Sequence, residues 1–260
     1  MKFIFVDEFK PVINKKDKKR IYGISVVLID SAYYSNYKNR FELEFQKLGW
    51  SKKEELKGRY VYSRKVFKDI GPDKRIAFAE NLFKLSFSKS GKSARIKVFI
   101  CFDYFNLSDS ESKIYINLFC RIIKKIGKPI SKKQGKNIIA CFFDNNDEVT
   151  KKVKEIDFYQ LLFNELHKDW VIFEKPLFVS SSNLLPGIIF ADFISYFHQN
   201  FIDTQGFFKN TKKRFLELLK KDNSQISSAE KKELKRFIIN YKKQRKSMRI
   251  IAILKNLVYV

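Results

Sequence analysis

Apolar residues fall along this chain in short runs that end in polar or charged residues, and the runs alternate with stretches of helical spacing. KFIFVDE (2–8) is an apolar run that stops at Asp7 and Glu8. IYGISVVLI (21–29) is a second run, rich in β-branched residues, and an antiparallel hairpin to the first is the short connection. Ser31 then stands where a helix cap belongs. Tyr34, Tyr37, Phe41, Phe45 and Leu48 recur behind it at helical spacing, and Gly49 is a stop signal. Residues 51–67 are less regular and read as a loop followed by a short strand or ribbon.

Pro72 sits at the first position of a second helix that turns Ile76, Ala79, Leu82 and Phe83 inward. RIKVFICFD (95–103) is apolar on both faces from Val98 onward, a pattern suited to the centre of a parallel sheet. Asp109 can cap a helix bearing Tyr115, Leu118, Phe119, Ile122 and Ile126 on one face, with Gly127 at its end. NIIACFFD (137–144) is a buried strand that again ends in a carboxylate. A helix is expected from Asn146 or Asp147, WVIFEKPLFVS (170–180) reads as extended, and Pro186 opens a helix through GIIFADFISYFHQ. A strand, a hairpin strand and then alternating helices and strands predict a mixed α/β sheet flanked by helices.

Composition adds a polarity to this picture. The chain has 260 residues, and 53 Lys and Arg against 28 Asp and Glu leave a net charge of +25. AT-rich coding explains the preference for Lys over Arg but not the imbalance against acids. A polyanionic partner, RNA or DNA, explains the imbalance, because each cation that neutralises a phosphate releases condensed counterions. Residues 209–260 hold 16 Lys and Arg and 4 acids. The chain therefore divides into an α/β domain over 1–205 and a basic helical C-terminal extension over 206–260. SSAE (227–230) is a capping box ahead of that extension's main helix. Its candidate phosphate contacts are Arg214, Lys235, Arg236, Lys242, Lys243, Arg245, Lys246 and Arg249, joined from the main domain by Lys57. The final RIIAILKNLVYV is apolar enough to pack against something.

Cys101, Cys120 and Cys141 are far apart, which excludes a CxxC zinc motif and points to a reducing compartment. His167 and His198 lack metal-pair spacing and read as surface or helix-end residues. No eighteen-residue apolar stretch and no leader-like pattern are visible, so the expectation is a soluble, cytoplasmic protein with no membrane partner.

Four acids occupy suggestive positions: Asp7 and Asp144 at strand ends, Glu55 in the irregular KEELKG stretch, and Asp192 inside an apolar helix. An unpartnered charge among apolar neighbours is costly, so Asp192 needs a partner or a cleft. Carboxylates converging at strand ends suit Mg²⁺ or Mn²⁺, and such ions can activate water against a phosphodiester. Each acid also has an ordinary reading: a turn for Asp7, a solvated charge run for Glu55, a helix cap for Asp144 and a lysine partner for Asp192.

VDEFK, EELKGRY, CFFDNND and VSSSNLLPGIIFADFISY, in that order, resemble the ribonuclease H-like family known as domain of unknown function 3800. The resemblance spans about residues 1–200, and its most specific piece is the spacing of Pro186, Gly187, Ala191 and Asp192. It implies a ribonuclease H-like sheet with Asp7, Glu55, Asp144 and Asp192 as metal-binding, catalytic carboxylates of a nuclease. Three positions depart from the family pattern. Asp-Glu-Ser-Gly is Asp7-Glu8-Phe9-Lys10, Asp-Ser-Lys is Ser181-Ser182-Asn183, and the Gln before Ala-Asp is Ile189. The leading expectation is a divalent-metal nuclease. The alternatives are an inactive nucleic-acid-binding or assembly protein on the same scaffold, and a structural component of a mobile-element or defence system.

Overall fold

The structure is a computed structural model that describes residues 1–9, 13–14, 19–50, 56–62, 70–85, 96–126, 137–144, 164, 170–172, 177–179, 185–219, 226–252 and 257–260. The helix expected from Asn146 or Asp147, Gly127 and His167 lie outside these residues.

Among the described residues, eight strands form one sheet: β1 (Lys2–Phe9), β2 (Ile13–Asn14), β3 (Lys19–Asp30), β4 (Ile96–Asn106), β5 (Asn137–Asp144), β6 (Trp170–Ile172), β7 (Leu177–Val179) and β8 (Leu257–Tyr259). Their order is β6-β5-β1-β3-β4-β8, with β2 beside β3 and β7 beside β5. β1, β3 and β4 pair antiparallel in succession. β5 joins the other side of β1 in parallel, and β6 and β7 continue in parallel from β5. The expected hairpin and parallel strands are present in one mixed sheet.

β4 differs from expectation in one respect. It pairs antiparallel with β3 and parallel only with the short β8. Its apolar residues on both faces reflect helices on both sides of the sheet, which bury a central strand whatever its direction. The segment Gly58–Tyr62 also differs, forming a 3₁₀ turn in place of a short strand.

Helices α1 (Ser31–Leu48), α2 (Pro72–Leu85) and α4 (Pro186–Leu219) build one core cluster with Phe5, Val27, Ile29 and Ile100. Helix α3 (Glu111–Ile126) covers the opposite face, over Ile4, Val6, Ile24, Val26 and Phe143. Asp30, one residue before the expected Ser31, caps α1 by accepting from the Ala32 amide at 3.1 Å. Gly49 ends α1 in the left-handed conformation, at φ 75°. Asp109 does not cap α3 directly. Its carboxylate accepts from the Asn106 amide at 2.9 Å and closes the turn ahead of the helix.

The C-terminal chain returns to the sheet. α4 runs unbroken across residues 205 and 206, where the composition changes. Helix α5 (Ser228–Ala252) then packs back along it, opened by the expected capping box: the Ser227 amide donates to Glu230 at 3.0 Å, and the Glu230 amide to the Ser227 hydroxyl at 3.3 Å. The apolar end of the chain becomes β8 on the edge of β4.

The first turn of α4 lies directly on β1. A Cβ added to Gly187 would come within 2.3 to 2.5 Å of the Phe5 ring, which explains a glycine immediately after Pro186. Gly187→Ala is expected to cost about 2 kcal/mol in urea unfolding, as overpacking does. Gly71→Ala has open space around it and should change stability by no more than about 0.5 kcal/mol. Equal effects of the two would contradict this packing.

Candidate active site

Strand alternation puts Phe5, Asp7 and Phe9 on the α4 face of the sheet. On β5, Phe142 packs against the cluster on that same face, so Asp144, two residues on, points the same way. The parallel register ends with Val6 opposite Phe143, so Asp7 and Asp144 stand side by side where the pairing of β1 with β5 stops; β1 itself continues to Phe9, past the expected strand end at Asp7. α4 lies over β1 and carries Asp192 to the same place. The like charges of Asp144 and Asp192 both bear on the Asp7 carboxyl. Asp144 and Asp192 are thus near enough to Asp7 for their charges to act on it; Glu55 lies outside the described residues.

Asp7 is buried, with 5% of its surface exposed. Burial raises its carboxyl well above the usual range, and the charges of Glu8, Asp192 and Asp144 add to the rise in that order, while a hydrogen bond from Ser195 works against it. Ser195 lies one turn after Asp192 on α4. Its hydroxyl donates to the Asp7 carbonyl at 3.3 Å and lies 2.5 Å from that of Ser25, the residue opposite Asp7 on β3. Ser25 donates to the Ala191 carbonyl at 2.9 Å. Sequence reasoning missed both serines. The available signal was Ser195 at i+3 from Asp192, on the same helical face.

The EELKG stretch reaches the site through its last two residues. The Lys57 ammonium is 3.3 Å from an Asp144 carboxylate oxygen, and the Gly58 amide donates to the Asp192 carboxylate. The described end of that stretch thus supplies positive and neutral donors to the acids. A Cβ on Gly58 would lie 2.8 Å from Tyr196 Cβ and 3.1 Å from the Phe193 Cα, so only glycine lets this backbone reach α4. Asp192 is accordingly half-buried and partnered.

Carboxylate oxygens that raise one another's proton affinity fit a hard divalent cation, which relieves their repulsion. Among the described residues, no three His, Cys, Asp or Glu side chains are grouped closely enough to hold one ion together.

His198 corrects the expectation of a surface or helix-end residue. It is buried in the middle of α4, donates from Nδ1 to the Ile194 carbonyl at 2.9 Å, and is pushed down to about 4 by burial. It is a neutral core residue 3.4 Å from the Tyr259 hydroxyl of β8.

The basic candidates divide in two. Arg214 reaches Glu230 at 3.1 Å, Glu233 at 3.7 Å and Glu217 at 3.8 Å, tying α4 to the start of α5. Arg249 pairs with Glu80 of α2 at 3.2 Å. These two arginines hold helices together. Lys235, Lys242, Arg245 and Lys246 are exposed on α5, and their spacing puts them along its outer side. Tyr62, at the end of the 3₁₀ turn, lies beside Ser247 near the end of α5 and beside Tyr196 of α4, one turn beyond Asp192.

The fold and site together define an α/β protein with carboxylates at the ends of two parallel neighbouring strands and on the helix that covers them. No protein-family model matches the chain, and no curated protein matches it. Among solved structures, the crystal structure of the ribonuclease H2 from Pyrococcus horikoshii OT3 is similar over 98% of this chain and 100% of that one, at 15% identity and a TM-score of 0.38. A likeness of that degree carries no argument. Strand order and pairing show a mixed α/β sheet, and the resemblance to domain of unknown function 3800 stands on its motifs alone.

The folded state holds the Asp7 proton more tightly than the unfolded chain does. The stability that protonated Asp7 contributes is complete below the ordinary carboxylate range and is lost as pH rises through the raised folded value. In EDTA, the stability of the native protein relative to Asp7→Asn should therefore fall as pH rises above the ordinary carboxylate range. Urea denaturation of both proteins measures it, and a difference that does not change with pH contradicts the assignment.

Proposed function

We propose that the chain is a divalent-cation-dependent phosphodiester hydrolase acting on RNA or DNA. The observation that carries this reading is the adjacency of Asp7 and Asp144 at parallel strand ends beneath Asp192. Carboxylate oxygens are the hard donors that Mg²⁺ or Mn²⁺ takes, and Glu55 of the KEELKG stretch is a further candidate ligand. When bound, such an ion supplies a more acidic water and charge neutralisation at the phosphate.

The chain's own residues have separable roles in this reading. Asp7 and Asp144 hold the cation, and Ser195 orients Asp7 from α4. Gly58 fixes the direction of Asp192. Lys57 offers its ammonium to the substrate phosphate, and the outer cations of α5 hold the backbone of the nucleic acid beyond it.

A second reading, a nucleic-acid-binding protein without catalysis, is favoured by the Lys57–Asp144 pair. A lysine already neutralises one of the acids there. The two readings share the basic helix and differ in the fate of substrate.

Labelled RNA, DNA and RNA–DNA hybrid incubated in Mg²⁺ or Mn²⁺ separate them. The expected outcome is cleavage that EDTA, Asp7→Asn and Asp192→Asn each abolish. Tight binding without cleavage under every condition would contradict the hydrolase. Changing Lys235, Lys242, Arg245 and Lys246 to Ala should reduce the slope of log affinity against log salt by about one for each phosphate that is no longer neutralised. An unchanged slope would remove α5 from the interface.

A further inference from the structure

Helix α5 is buried along one side and carries apolar residues on the other as well. Phe237, Ser247 and Ile250 are buried against the rest of the fold. Ile238, Ile239, Tyr241 and Met248 stand between 41% and 50% exposed on the same helix. A single exposed apolar residue is ordinary, but a group of large ones on one helix marks a contact surface. Their placement is ordered. Ile238, Tyr241, Arg245 and Met248 recur at helical spacing and form one row along the helix. Lys235, Ile239, Lys242 and Lys246 form a second row, about a third of a turn round the axis. All of these residues are exposed, so a mainly apolar row lies beside a mainly cationic one.

We propose that the outer face of α5 binds single-stranded nucleic acid, with phosphates along the lysine row and unpaired bases on Ile238, Tyr241 and Met248. This rests on the nucleic-acid part of the reading above and adds the strandedness of the ligand; it does not depend on how the acids act. Charge selects the occupant, since a row of lysines on a chain of net charge +25 suits a polyanion. A second copy of the chain would set lysine row against lysine row. Arg245 would also interrupt the apolar seam that a partner helix needs. Shape then selects the strandedness. A duplex keeps its base faces stacked inside and offers α5 only phosphates and groove edges, which leaves the apolar row uncovered. A single strand offers those faces, and a tyrosine ring can stack on any of them.

Fluorescence anisotropy of the full chain in EDTA tests this. The probes are a single-stranded RNA, a single-stranded DNA, the duplex form of each, and an abasic single strand of equal length. The native chain is expected to bind a base-bearing single strand about tenfold more tightly than its duplex or the abasic strand, in keeping with one stacked base. Whichever of RNA and DNA binds more tightly names the sugar. Ile238→Gln with Tyr241→Gln should abolish the preference and leave duplex affinity unchanged. Lys242→Ala with Lys246→Ala should weaken every probe together. All four positions are exposed, so melting temperatures should stay near native. Equal native affinity for single strand and duplex overturns the single-strand assignment while nucleic-acid binding stands. A preference that survives the glutamine variant overturns α5 as its source. Binding to none of the probes overturns the nucleic-acid reading and this inference together. A native dimer in sedimentation that the glutamine variant dissociates puts a second copy on this face and overturns the proposal.

Discussion

A carboxyl group buried at the end of a core strand governs the organisation of this protein. Asp7 sits on the face of β1 that α4 covers, flanked by Asp144 and Asp192, where water can solvate little of its charge. A buried ionised carboxylate is very costly unless it is protonated, paired or bound to a cation. The elements around Asp7 each reduce that cost. Ser195 donates to it from α4, the Gly58 amide takes up Asp192, and Lys57 takes up Asp144. A hydrophobic residue at position 7 would fill the same space without such support. The presence of the support argues for a site in which charge is required.

The packing follows from the same constraint. Asp192 can meet Asp7 only if α4 lies close on β1, and Gly187 under the Phe5 ring permits that approach. The 57–58 backbone can reach Asp192 only because residue 58 has no side chain. The start of α4, from Ile188 to Ile194, is buried on nearly every side except at Asp192, which marks a helix threaded between sheet and surface elements. α5 and β8 complete the enclosure, through the Arg214 and Arg249 ion pairs and the new edge beside β4. The cationic C-terminal chain is thus attached to the sheet it would serve.

Much of this was legible from local pattern. Strands that pair through long apolar runs, the Gly49 stop, Pro72 and Pro186 at helix starts, and the Ser227–Glu230 capping box all depend on residues close in sequence. Asp7, Asp144 and Asp192 stand out in the sequence because apolar strands and a covering helix leave few places for a charge. Features set by tertiary contact were hidden. β4 has the pattern of a parallel strand because burial on both faces does not encode direction. His198 reads as a surface residue because no local signal shows that the middle of α4 is enclosed. Arg214 and Arg249 are indistinguishable in sequence from the outer lysines, since only the partners on α5 and α2 reveal their structural use. Ser25 and Lys57 gain meaning only from residues more than eighty positions away.

The central proposal is that Asp7, Asp144 and Asp192 serve a divalent cation. Anomalous diffraction from crystals soaked in Mn²⁺ tests it most directly. The proposal predicts a manganese peak beside Asp7 and Asp144. A structure at saturating Mn²⁺ with no peak there would contradict it.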